Sequence, residues 1–142
     1  MNDYYEELGM TDAELIEKHP FTRCRSGDWK CELLDQSWYP TIPKGWRKAF
    51  GKQLIEEMEA EYNKYDDEMK AEWNVLQIKE KYGELRIYVD PETRKMGEII
   101  NKYSLKSRTV CIECGAPAKQ RNTHGWVDTM CDECYDNMMS KT

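Results

Sequence analysis

The chain has no apolar run long enough to cross a bilayer, and only two phenylalanines and two histidines in 142 residues. The first absence excludes a helical membrane span within this sequence. The stretch from Met1 to Glu7 is acidic and polar, lacking the basic and apolar regions of a secretory leader. Several catalytic signatures are missing as well. There is no glycine-rich phosphate loop, no metalloprotease helix motif and no Gly-x-Ser-x-Gly elbow. A zinc deaminase needs a His-x-Glu feeding a Pro-Cys-x-x-Cys; here Val110 precedes Cys111 and no His-x-Glu occurs. Carboxylates are plentiful, but nothing in the sequence singles out a catalytic pair. The expectation is a protein that is not an enzyme.

Hydrophobic residues make up 39% of the chain and charged residues 34%, which fits one domain, or one domain carrying a small metal-held module. Five Trp and nine Tyr supply most of the aromatic content. Such residues carry polar handles suited to half-buried faces and interfaces.

The formal net charge of −6 is unevenly spread. Residues 51–80 hold nine acids against four bases, residues 21–50 hold three acids against six bases, and residues 81–142 are nearly balanced. An acidic total argues against general binding to a phosphate backbone, though a local basic patch remains compatible with it.

Four of the six cysteines form two C-x-x-C knuckles, Cys111/Cys114 and Cys131/Cys134, separated by the sixteen residues 115–130. That spacing matches a tetrathiolate zinc site. Two residues between cysteines let both sulfurs reach one ion from a tight turn, and two such turns fill a closed tetrahedral shell. Gly115 follows the first knuckle, where a residue free to take positive φ is wanted. Zinc on four thiolates brings the total charge to about −8. A zinc-type pattern without a leader implies a reducing cytoplasm. Cys24 and Cys31 lie in a basic, Trp-containing loop and read as ordinary reduced thiols; two thiols alone lack two further ligands.

Along the chain, Thr11-Asp-Ala-Glu14 reads as a capping box opening a short helix that Pro20 ends. Residues 20–45 look irregular, with Trp29 and Trp38 in a loop packed on the body. From Trp46 to Trp73, apolar residues recur every three or four positions, predicting one long amphipathic helix. Its other faces carry acids including Glu56, Glu57 and Glu61, read as a surface offered to a basic partner. Residues 75–80 and 85–89 read as a hairpin with Leu85, Ile87 and Val89 facing inward. Asp90-Pro91-Glu92-Thr93 reads as the start of a helix that fades near Ser104–Ser107. The expected core is Leu54, Met58, Tyr62, Leu85, Ile87, Ile99 and Ile100.

The fold class is therefore α+β: a long amphipathic helix on a small antiparallel sheet, followed by a zinc-ribbon or treble-clef module. The division is 1–107 for the body with its acidic N-terminal helix and 108–142 for the zinc-binding module. Lys119, Arg121 and Trp126 near the second knuckle leave open a nucleic-acid-binding or transcription-regulatory role.

The segment Lys79-Glu-Lys-Tyr-Gly-Glu-Leu-Arg-Ile-Tyr88, between Gly45-Trp46 and a cysteine quartet containing Gly125-Trp126, resembles a family of small phage and prophage proteins. These carry a KEKFG-type turn and a C-terminal four-cysteine module. The resemblance covers residues 19–135; Tyr82 stands where Phe is common and Glu84 where a second Gly is common. Small acidic prophage proteins of this kind include inhibitors of host defence, among them anti-CRISPR proteins acting on the RNA-guided type II effector nuclease. The resemblance thus implies a non-enzymatic zinc-binding inhibitor in the host cytoplasm, with a basic nuclease as the favoured partner. Candidate partner-binding residues are Glu56, Glu57 and Glu61 on the helix, and Trp29 and Trp38 in the loop.

Overall fold

The computed structural model describes residues 4–26, 30, 32–123 and 125–141. A short ladder of β1 (Tyr4–Tyr5) with β2 (Met10–Thr11) leads into α1 (Asp12–Lys18). The Thr11 hydroxyl accepts from the Glu14 N–H while the Glu14 carboxylate accepts from the Thr11 N–H, so the expected capping box is present. A second ladder pairs β3 (Arg23–Arg25) with β4 (Leu33–Ser37). The buried carboxylate of Asp12 ties these pieces together. It accepts from the Tyr5 hydroxyl at 2.8 Å, the Ser37 hydroxyl at 2.5 Å and the Ser37 N–H at 3.0 Å. A charge held this far from water needs that many donors.

The expected helix over 46–73 is broken. Helical backbone runs from α2 (Lys44–Trp46) through a π-turn (Arg47–Gly51) into α3 (Lys52–Tyr62), then stops. Asp66 opens a separate helix, α4 (Asp67–Glu72), its carboxylate accepting from the Met69 N–H at 2.8 Å. Short polar side chains such as Asn63 and Asp66 compete for nearby backbone groups, which favours caps over helix interiors. The apolar stripe survives the break. Trp46, Phe50, Leu54 and Met58 are fully buried, and Trp73 folds back so that its ring lies 5.4 Å from Tyr62 and 5.9 Å from Phe21.

β5 (Asn74–Lys81) and β6 (Glu84–Asp90) form the expected antiparallel hairpin. Leu85, Ile87 and Val89 point into the core, which is the register read from their alternation. The next helix, α5 (Arg94–Ser107), starts later than expected. Its cap is Thr93, whose hydroxyl accepts from the Met96 N–H at 3.1 Å, so Asp90 and Pro91 lie outside it.

α5 lies along β6, and α3 packs on α5. The Ser107 hydroxyl accepts from the Leu85 N–H at 2.9 Å, and the Ser104 hydroxyl donates to the Leu85 carbonyl at 2.7 Å. Two serines thereby satisfy backbone groups that a free strand edge would leave open. Of the expected core, Leu54, Met58, Leu85, Ile87, Ile99 and Ile100 are buried and Tyr62 is half-buried against it.

The C-terminal segment has the element order expected of a zinc-ribbon or treble-clef module. A knuckle at 111–114 is followed by the hairpin β7 (Lys119–Thr123) and β8 (Trp126–Met130), then α6 (Asp132–Ser140). The whole is mixed helix and two-stranded antiparallel ladders, an α+β fold.

Candidate metal centre

Each knuckle is built by local backbone bonding. In the first, the Cys111 N–H donates to the Ala116 carbonyl at 2.8 Å and the Gly115 N–H to the Cys111 carbonyl at 3.0 Å. Gly115 closes the turn at φ +83°, as its position after the knuckle requires. In the second, Cys131 is the N-cap of α6, and its sulfur accepts from the Cys134 N–H at 3.4 Å. Peptide dipoles at a helix start favour the thiolate form.

These turns bring the sulfurs of Cys111, Cys114, Cys131 and Cys134 within 4.8 Å of one another, with those of Cys114 and Cys131 3.6 Å apart. A disulfide needs about 2.05 Å. Tetrahedral thiolates at about 2.3 Å from a zinc ion stand about 3.8 Å apart. The four cysteines are free thiols in a geometry that fits one metal ion.

Their electrostatics make the same point. Burial works to raise the Cys111 thiol, but backbone groups of Cys131, Cys114 and Glu113 outweigh it and bring the pKa down to about 7. Burial and the three neighbouring sulfurs push Cys134 strongly upward. Four thiols at this spacing cannot all ionise unless a cation offsets their mutual repulsion.

Hydrogen bonds tie the centre to the body on two sides. The Gly45 N–H donates to the Ile112 carbonyl and the Trp46 indole N–H to the Val110 carbonyl, both at 2.8 Å. On the other side, the Thr129 hydroxyl donates to the Gly83 carbonyl at 2.6 Å and the Gln120 amide to the Tyr82 carbonyl at 3.0 Å. Gly45-Trp46 and Tyr82-Gly83, far apart in the chain, thus both contact the one module. No pattern at the level of spacing pairs them with the knuckles, because they lie 66 and 28 residues from Cys111.

The candidate partner surface changes more. Glu56 is exposed, as expected. Glu57 is instead bound to Lys102 at 2.6 Å and to the Tyr103 hydroxyl, bridging α3 and α5. Glu61 is 7% exposed and accepts from the Thr93 hydroxyl at 3.0 Å. Neither stands on an open acidic face, because helix α5, distant in sequence, covers that side of α3. Trp38 is 3% exposed, packed edge-on to Phe21 with its indole N–H on the Phe21 carbonyl. It is a core residue and not an open loop contact. Trp29, like Cys31, lies outside the described residues.

Cys24 is half-buried, and its thiol is raised by burial and by the charge of Asp12. His19 is half-buried with Nδ1 2.7 Å from Glu59. Arg121, a candidate phosphate contact, is spent internally: it pairs with Asp132, donates to the Met130 carbonyl and lies over the Tyr135 ring. Trp126 is 75% exposed. No family model, curated protein or solved structure matches the chain.

Proposed function

We propose that this chain is a non-catalytic binding protein whose C-terminal module is stapled by zinc, and that it inhibits a host defence protein. The observation that carries this reading is the convergence of four thiols, each supplied by the protein, at one point welded to the body. A site whose four positions are all taken by side chains stabilises a fold and leaves no place for substrate. Soft thiolates select zinc among the abundant divalent ions.

The choice of target rests on charge and on the family resemblance. With Glu57 and Glu61 engaged, the exposed acids of the 46–73 stretch are Glu56 and, at and in α4, Asp66, Asp67, Glu68 and Glu72. A basic protein is the complement of that surface, and an RNA-guided type II effector nuclease must be basic to hold its duplexes. The test is capture of partners from a host lysate with and without nuclease treatment. Capture of a basic nuclease that persists after treatment supports the reading; recovery of nucleic acid alone, or metal-dependent turnover by the purified protein, refutes it.

A further inference from the structure

We propose that the outer face of the β5–β6 hairpin, continued by Tyr82 and Trp126, binds single-stranded nucleic acid. The hairpin's inner face is the core. Its outer face, fixed by the pairings Gln77 with Tyr88, Lys79 with Arg86 and Lys81 with Glu84, is basic and aromatic. Lys79 lies over the Tyr88 ring at 5.9 Å and Lys81 over the Tyr82 ring at 5.6 Å. Neither lysine has a carboxylate partner within salt-bridge distance among the described residues.

Two acids share that face, Asp90 at its far end opposite Asn74 and Glu84 beside the turn opposite Lys81. Glu84 pairs with Arg108 at 2.5 Å, and Arg86 Nε stands 3.2 Å away without hydrogen-bond geometry. Lys79, Lys81, Arg86 and Arg108 stand against Glu84 and Asp90, so the strands carry an excess of positive charge on an otherwise acidic protein. Electrostatic attraction to a phosphate chain concentrates there.

The rings supply the second half of the argument. Tyr82, Tyr88 and Trp126 are 65%, 41% and 75% exposed, against the burial of the other described tryptophans. Tyr82 and Trp126 line one cleft of about 380 Å³ between the hairpin turn and the module. Its two acids accept from neutral donors, Glu80 from the Gly83 N–H and Asp128 from the Thr123 hydroxyl, so the cleft offers rings for stacking while the positive charge lies on the adjoining strands. The metal module sets this cleft, since the Thr129–Gly83 and Gln120–Tyr82 bonds place one ring relative to the other. Open rings beside unpaired lysines are the two components of sequence-tolerant single-strand binding: bases stack, phosphates follow the cations. Duplex hides its base faces and offers only the second component.

This surface lies on a different element from the acids of α4, so it stands or falls independently of the proposed protein target. The experiment is fluorescence anisotropy of metal-loaded protein with labelled oligo(dT) and oligo(U), longer than the roughly 4–16 nucleotides such sites cover, beside a duplex of equal length. Both single strands are expected to bind more tightly than duplex, with the preference between them reporting the sugar recognised. Trp126→Ala is expected to weaken binding about tenfold. The double change Lys79→Gln with Lys81→Gln is expected to lower the slope of log affinity against log salt by about 1.4. Lys81 and Trp126 are exposed and Lys79 is half-buried, and metal content with circular dichroism verifies that each variant is folded. Absence of binding at about 50 mM salt overturns the proposal. So does equal binding of duplex or of poly-glutamate, or a folded Trp126→Ala protein that binds like the wild type.

Discussion

The Gly45 N–H donates to the Ile112 carbonyl at 2.8 Å, and a β-carbon on Gly45 would stand 2.1 Å from the Cys111 carbonyl oxygen. The helix that begins at Lys44 and the first metal knuckle therefore meet backbone to backbone. Gly45→Ala cannot be accommodated by a side-chain shift, since the obstacle is main chain. A loss of about 1–3 kcal/mol is expected, the range for an overpacked site. Chemical denaturation measures the loss, and faster metal transfer to a chelator is expected from the same variant.

One zinc per chain is expected on elemental analysis, and Cys114→Ser is expected to abolish it and to unravel residues 108–142. Metal affinity in such sites is also folding free energy. Because protons compete for thiolates, retention should weaken as pH falls. A Cys114→Ser protein that kept native metal content and melting behaviour would remove the site from consideration.

Glu56 and Glu61 are expected to respond oppositely to substitution despite lying on one helix. Glu56→Lys, at an exposed position, should change stability by no more than about 0.5 kcal/mol. Glu61→Ala strands the Thr93 hydroxyl network in a buried setting and should cost about 1–3 kcal/mol. Charge-reversal tests of partner docking accordingly belong at Glu56, Glu68 and Glu72. Equilibrium unfolding of the two single variants distinguishes them.

Glu57 gives a pH signature. Burial pushes its carboxyl upward, but hydrogen bonds from Lys102 and Tyr103 outweigh this and hold it below its ordinary value of 4.5. A depressed folded-state pKa contributes stability above the unfolded value, and that contribution is lost as pH falls through the folded one. The stability difference between wild type and Glu57→Gln should therefore be constant near neutrality and shrink below about pH 4.5. With the side chain partly exposed, its size should be under about 1 kcal/mol.

Trp38→Ala and Trp126→Ala form a matched pair. The first empties a core position that is 3% exposed and should cost about 3–5 kcal/mol. The second removes a ring that is 75% exposed and should leave stability within about 0.5 kcal/mol. Thermal melts of both variants check the contrast.

Features written in short stretches of chain were legible without coordinates. The capping box at Thr11, the inward side of β6 and the positive φ at Gly115 are set by neighbours a few residues away. The cysteine quartet belongs with them, because the spacing within each knuckle and a sixteen-residue connector already suit four thiols converging on one point. Local periodicity also marked Trp46, Phe50, Leu54 and Met58 as core.

What required the tertiary structure was the fate of faces. Helix periodicity distinguishes an apolar stripe from a polar one, but it cannot tell a polar face open to water from one that a distant helix covers. Hence Glu57 and Glu61 read as free acids until α5 is laid across them, and Trp38 as an interface ring until Phe21 is placed against it. The same holds in the other direction for Tyr82 and Trp126, 44 residues apart in the chain, which share a cleft because the module's Thr129 and Gln120 bind the hairpin turn. Sequence determines which surfaces are made; only the packing of elements far apart in the chain decides which of them reach solvent.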